Sequence, residues 1–183
     1  MKKPLLLTGI LLAATVAITG CSTTPTETVA PEPTTSSNQQ QTQAKTIPAD
    51  INNYIVSGEY GSAPEIEIKT LGNVDKLLVS DIKVGEGAEA KPSDTVTVQY
   101  TGVGALSGKE FDSSWSNGGQ PISFPLTQVI PGWTEGLTGM KPGGRRLLVI
   151  PASLAYGDQS PTPAIQNGET LVFVVDMISN TPQ

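Results

Sequence analysis

A chain of 183 residues suits one domain of ordinary size plus appendages, and is too short for two full domains with tails. With 11 basic against 17 acidic residues and a net charge of −6, it has no cationic cluster to neutralise phosphates, which argues against nucleic acid as a partner. Without histidine and with one cysteine, it excludes imidazole acid–base catalysis, His-ligated zinc, thiolate clusters and intramolecular disulfides, so no metal or other cofactor is expected.

The chain opens with Lys2 and Lys3, followed by an almost unbroken apolar run from Pro4 to Ile18. That run is short for a bilayer span, which needs about 20 residues, but suits a secretory leader. It ends in Ile18-Thr19-Gly20-Cys21, which resembles the bacterial lipobox, where lipid is attached to the cysteine and cleavage leaves that residue first. Residues 1–20 are therefore expected to be a lipoprotein signal peptide and Cys21 the lipidation site. The expected location is the cell envelope, outside the cytoplasm, anchored to a bacterial membrane. Which membrane is open: the outer face of the plasma membrane, or an outer membrane if the cell has one.

Residues 21–45 read as a disordered tether. From Ser22 to Lys45, 18 of 24 residues are Ser, Thr, Pro, Gln or Asn, too few apolar groups to offset the entropy of ordering. Residues 46–74 form an expected N-terminal extension of one or two strands, from Tyr54-Ile55-Val56 and the alternation Ile66-Glu67-Ile68-Lys69. Residues 75–181 form the main domain. Strands are expected over Leu77–Val84, Asp94–Tyr100 and Arg145–Ile150. The run Thr170–Ile178 is apolar on both faces, as in a central strand covered on both sides. One helix is expected from Pro131, with Ile130, Trp133, Leu137 and Met140 at spacings of three and four. Its glycines 132, 136 and 139 each weaken it by about 1 kcal/mol, so packing on the sheet must hold it. The fold class is α+β, a twisted antiparallel sheet around one short helix.

Two suggestive motifs lack their context. Gly85-Glu86-Gly87-Ala88-Glu89-Ala90 has dinucleotide-fingerprint spacing but leads to Pro92 and Ser93-Asp94 instead of a helix. Glu110 and Asp112 could share a strand face as a carboxylate pair, although ordinary surface charge explains them better. What remains is a set of aromatics beside turns: Tyr100, Phe111, Trp133, Tyr156 and Phe173. Composition alone would assign them to the core.

The local strings go further. VQYTG (98–102), GKEFDSS (108–114), QVIPGWTEGL (128–137), GGRRLLVIP (143–151), LAYG (154–157) and TLVFVVDMI (170–178) occur in one order with compatible gaps. In this the chain resembles the FKBP family of peptidyl-prolyl isomerases over roughly residues 75–180. The resemblance implies the FKBP-like fold and cis/trans isomerisation at X–Pro bonds. It implies a catalytic pocket of Tyr100, Phe111, Asp112, Ile130, Trp133, Tyr156 and Phe173, with Val129, Ile122 and Ile165 as substrate-binding walls. Trp133 would form the floor, and in the family the Ile130 N–H and the Tyr156 hydroxyl hold substrate carbonyls. Asp112 is left with two roles, acting near the rotating carbonyl or orienting Tyr100. Between Trp115 and Gln120 there is no basic residue, where some members carry an arginine paired with the aspartate.

Rotation of an amide needs no proton carrier. Its barrier of about 18–20 kcal/mol is lost resonance, and a dry apolar pocket disfavours the more dipolar planar form. The expected partners are proline-containing unfolded or exported polypeptides, macrolide ligands, and the membrane through Cys21, with the protein a monomer. The alternative is a membrane-tethered peptide-binding or chaperone module of the same fold without turnover.

Overall fold

The computed structural model describes residues 45–183. The expected leader, the lipidation site Cys21 and all of the tether except Lys45 lie outside the described residues. The elements in chain order are β1 (Tyr54–Ser57), β2 (Glu65–Ile68), β3 (Leu78–Lys83), β4 (Thr95–Gly104), β5 (Glu110–Ser113), β6 (Ile122–Pro125), α1 (Pro131–Leu137), β7 (Arg145–Ile150) and β8 (Leu171–Thr181). An antiparallel sheet runs β3-β7-β8-β4-β5, and β6 also pairs with β4. The architecture is the α+β arrangement expected, an antiparallel sheet with one short helix. Two strands were not anticipated. β5 and β6 have four residues each, one carrying two carboxylates and the other flanked by Pro121 and ending in Pro125, so neither shows a strand-like pattern.

β8 explains why a run can be apolar on both faces. Its residues Leu171, Phe173, Val175 and Met177 join the core that contains Trp133, Leu137 and Leu148. Val172 and Val174 point the other way, into a second core with Leu147, Val149, Ile47, Tyr54 and Val74. The second core is closed by the β1–β2 hairpin, whose Val56, Ile66 and Ile68 pack onto it. Residues 46–74 are thus the cover of the sheet's back face.

A buried ion pair fixes that cover. Arg145 and Asp176 are opposite one another on β7 and β8, and both side chains are 1% exposed. The Arg145 guanidinium donates to Asp176 Oδ1 at 2.6 Å and Oδ2 at 2.9 Å, and to the carbonyls of Gly58 and Ser62, each at 2.6 Å. Gly61 N–H donates to Asp176 Oδ2 at 2.8 Å, and the Tyr60 hydroxyl to the Met177 carbonyl at 3.1 Å. Four of the five N–H groups of the buried guanidinium are bonded, and each of its three nitrogens has a partner, as such a charge requires.

α1 lies on the opposite face. It ends at Leu137, short of the expected Met140, because Gly139 adopts φ +80° and turns the chain toward Ala90. Its glycines allow a close approach: a Cβ on Gly132 would sit 2.2 Å from Ile150 Cγ2, and one on Gly136 2.6 Å from Leu148 Cδ2. Arg146 caps the far end, donating to the carbonyls of Gly136 at 2.8 Å and Thr138 at 3.2 Å while paired with Asp81 at 2.7 Å.

Candidate functional site

β4 carries Val96, Val98 and Tyr100 on its helix-facing side, all buried. The next position on that face is Gly102, where a Cβ would lie 2.7 Å from Phe111 Cζ and 2.8 Å from Phe173 Cε1. The missing side chain is what lets those rings fold over the strand. Pro131 starts α1 so that Trp133 enters from the helix side, its ring ringed by three others nearly edge-on. Centroid distances from Trp133 are 5.4 Å to Tyr100, 5.5 Å to Phe124 and 5.3 Å to Phe173, at interplanar angles of 86°, 81° and 85°. Phe111 meets Phe173 at 5.4 Å and 88°. Edge-to-face packing of this kind favours a defined geometry over a loose apolar pile.

These rings line a hollow of about 440 Å³ together with Asp112, Gln128, Val129, Ile130 and Tyr156. The structure therefore brings together Tyr100, Phe111, Asp112, Val129, Ile130, Trp133, Tyr156 and Phe173. It does not bring Ile122 or Ile165 into the lining. Ile122 is one strand step, about 7 Å, along β6 from Phe124, and Phe124 takes the wall position instead. Ile165 is 6% exposed in the core and borders a separate hollow formed by residues 160–163 and 165–167. Phe124 and Gln128 were missed by sequence reasoning. Phe124 stands two residues from Ile122 and shares its face; the register of β6 on β4 decides which of the two reaches the hollow.

Polar groups at the site are few and ordered. The Tyr100 hydroxyl donates to Asp112 Oδ2 at 2.6 Å, and the Asn117 amide donates to Asp112 Oδ1 at 2.9 Å. Burial first, then the hydrogen bond and the charge of Asp112, push the Tyr100 phenol well above its ordinary value of 10.0, so Tyr100 stays the donor. Of the two roles left open for Asp112, the contact seen is with Tyr100. Trp133 Nε1 is buried with no acceptor among the described residues, and the Ile130 N–H likewise donates to none of them. A buried unpaired donor costs about 1–3 kcal/mol, so the enclosed Trp133 Nε1 is an uncommon feature. The Tyr156 side chain stands at the mouth, 43% exposed. Chemically, the site can enclose a small apolar ring beside hydrogen-bond donors, and its one carboxylate, Asp112, is held by Tyr100 and Asn117.

Comparison with known proteins gives this geometry a context. Residues 86–178 match the family model described as FKBP-type peptidyl-prolyl cis-trans isomerase. The "Probable FK506-binding protein" of Corynebacterium glutamicum is 50% identical over 116 residues, covering 63% of this chain and 97% of that protein. The FKBP-type peptidyl-prolyl cis-trans isomerase FkpA of Escherichia coli K12 is 47% identical over 106 residues, covering 58% of this chain but 38% of FkpA. The crystal structure of FkpA from Escherichia coli superimposes with a TM-score of 0.53 at 47% identity, covering 58% of this chain and 48% of that one.

Proposed function

Because the chain belongs to the FKBP-type peptidyl-prolyl cis-trans isomerase family, we propose that its aromatic hollow takes the proline ring of exported polypeptides and eases rotation of the X–Pro bond. The chain is a peptidyl-prolyl cis-trans isomerase, and the observation that carries the mechanism is the convergence of Trp133, Tyr100, Phe124, Phe173 and Phe111 on one hollow. A planar prolyl amide has more charge separation than the 90° twisted form. Moving it from water into an apolar enclosure therefore lowers the barrier by raising the ground state more than the transition state. In this reading the Ile130 N–H and the Tyr156 hydroxyl hold backbone carbonyls on either side of the bond, fixing which part of the chain turns; the support is that both residues line the hollow. Each tenfold acceleration requires about 1.4 kcal/mol, so a few such effects suffice without covalent chemistry.

The test is a proline-peptide isomerisation assay on the full chain. Phe111→Ala and Tyr156→Phe should each lower kcat/KM by about tenfold, roughly one hydrogen bond or packed ring lost in the transition state. A rate equal to buffer, or no change in either variant, would overturn the mechanism.

The same proposal places the enzyme on the extracytoplasmic side of a membrane, held by lipid on Cys21. The support is the only cysteine of the chain standing at the end of the Pro4–Ile18 apolar run. Cys21→Ser should shift the protein to the soluble fraction, and its retention with membranes would refute the anchor. A hollow of this size, within the range typical of drug-sized ligands, also supports macrolide binding, and the proposal takes the protein as a monomer. Macrolide-induced thermal stabilisation and a monomer mass by sedimentation are the expected results.

A further inference from the structure

The carboxylates of β5 have an arrangement that the isomerase chemistry does not require. Glu110 and Asp112 stand two residues apart in a strand at the edge of the sheet, and Asp112 lines the hollow. The turn after β5 folds back and supplies each with a neutral donor. Ser116 Oγ donates to Glu110 Oε1 at 2.7 Å, and Asn117 Nδ2 donates to Asp112 Oδ1 at 2.9 Å. Neither carboxylate enters an ion pair among the described residues, where the pairs join Lys141 to Glu89, Arg145 to Asp176 and Arg146 to Asp81. No lysine or arginine lines the hollow. Lys109, the nearest cation along the chain, precedes the strand and is exposed, outside that lining. The result is an anionic rim made of Asp112 in the lining, with Glu110 exposed two residues away outside it, and its charge is oriented by hydrogen bonds but not neutralised by an ion pair.

We propose that this rim makes the enzyme select prolyl bonds with a lysine or arginine close to the proline, and reject those with aspartate or glutamate there. The inference rests on the isomerase reading and specifies its substrate class. An orienting amide in place of a cation leaves the field of Asp112 available to whatever enters the hollow. One unit charge about 6 Å away in a water-like dielectric changes occupancy by about threefold. Attraction for a cation and repulsion of an anion together give about tenfold. At this exposure salt should erase most of the effect, since the screening length falls to about 3 Å at 1 M.

The experiment measures kcat/KM of the full chain on two peptide series, with Lys, Leu or Glu immediately before or immediately after proline. The expected result is a Lys/Glu ratio of about ten in at least one series at low salt, falling toward one in 1 M NaCl. Glu110→Gln, which removes the charge outside the lining, should lower the ratio measurably but by less than the roughly tenfold worked for one charge in the lining. Asn117→Arg, which places a cation beside Asp112, should lower it at least as far. Each rate is normalised to the same variant's Leu peptide, so a general loss of activity does not mimic a change in selectivity. Activity on all peptides with a ratio near one overturns the rim proposal and leaves the isomerase standing. A ratio that is large but unchanged in 1 M salt and in both variants also overturns it. No activity on any peptide overturns both readings.

Discussion

Gly132→Ala is the perturbation in which local propensity and packing make opposite predictions. The residue is the second of α1, and Ala is preferred to Gly inside a helix by about 1 kcal/mol, so on propensity the variant gains stability. The structure reverses the sign. The new methyl would stand 2.2 Å from Ile150 Cγ2 and 3.0 Å from Ile150 Cδ1, in a side chain that is fully buried on β7. Reaching even a tight 3.0 Å from the Cγ2 requires a movement of about 0.8 Å. Ile150 cannot swing aside, because a β-branched residue has one preferred rotamer and is packed on every side. The helix must lift. Overpacking costs about 1–3 kcal/mol, and the upper end less the propensity gain leaves about 2 kcal/mol of destabilisation. For a domain of this size that is about 5–8 °C in Tm. Because Trp133 is the next residue, the lift also displaces the floor of the hollow, and kcat/KM should fall at least tenfold in protein that is still folded. Thermal and denaturant melts plus the isomerisation assay give both numbers. Removing the obstructing methyl groups should restore part of the loss: Gly132→Ala/Ile150→Ala should be less destabilised than the two singles predict by about 1–2 kcal/mol. A Gly132→Ala protein more stable than the parent, with unchanged activity, would refute the close-approach argument.

Other outcomes follow from the same contacts. Arg145→Met strands the buried Asp176 carboxylate and frees the Gly58–Ser62 loop; it should lose about 3–5 kcal/mol in denaturant melts, and amide exchange should rise at residues 58–62. Removing residues 46–74 uncovers Val172, Val174, Leu147 and Val149, so the shortened protein should bind a hydrophobic dye and aggregate on concentration; a soluble, dye-free product would contradict the cover role. The Tyr100 phenol titrates higher in the folded state than the unfolded value of about 10. Its contribution is therefore complete below pH 10 and is lost as the pH rises beyond it. Stability should fall steeply above pH 10, and Tyr100→Phe should flatten that part of the profile in a pH series of urea melts.

The legible part of this fold was what depends on local pattern. β4 showed a strict alternation, β7 ended at Pro151, and β8 announced its central position by apolar residues on both sides. The helix was legible as a start but not as a length, because the stop depends on Gly139 meeting Ala90, a contact remote in sequence. β5 and β6 were invisible for a different reason. Each is stabilised by its pairing with β4 and its aromatic contribution, and four residues with charges or prolines show no period of their own. The same limit applied to the site. Tyr100, Phe111, Trp133 and Phe173 could be proposed from strings, yet Phe124 entered the wall and Ile122 did not, a distinction that only the register of β6 on β4 decides. Arg145 opens an expected strand, with nothing in its neighbourhood to announce a partner 31 positions away.

That partner also bears on how the site keeps its shape. Along β8, odd positions face the aromatic hollow and even positions face the hairpin, so Phe173 and Asp176 are commitments of one strand to two different cores. A slip of one residue would turn Phe173 away from Trp133 and drive Asp176 into an apolar interior. The hydrophobic pattern resists such a slip weakly, because β8 has apolar residues on both faces and either would tolerate burial. The Arg145–Asp176 pair resists it strongly. Its guanidinium makes four bonds that exist in only one register, and a misplaced buried carboxylate would cost several kcal/mol. The back of the sheet therefore carries the polar information that an apolar pocket on the front cannot supply. The extension of residues 46–74, on the other face of the sheet, belongs to the machinery that holds Phe173 in the lining of the hollow.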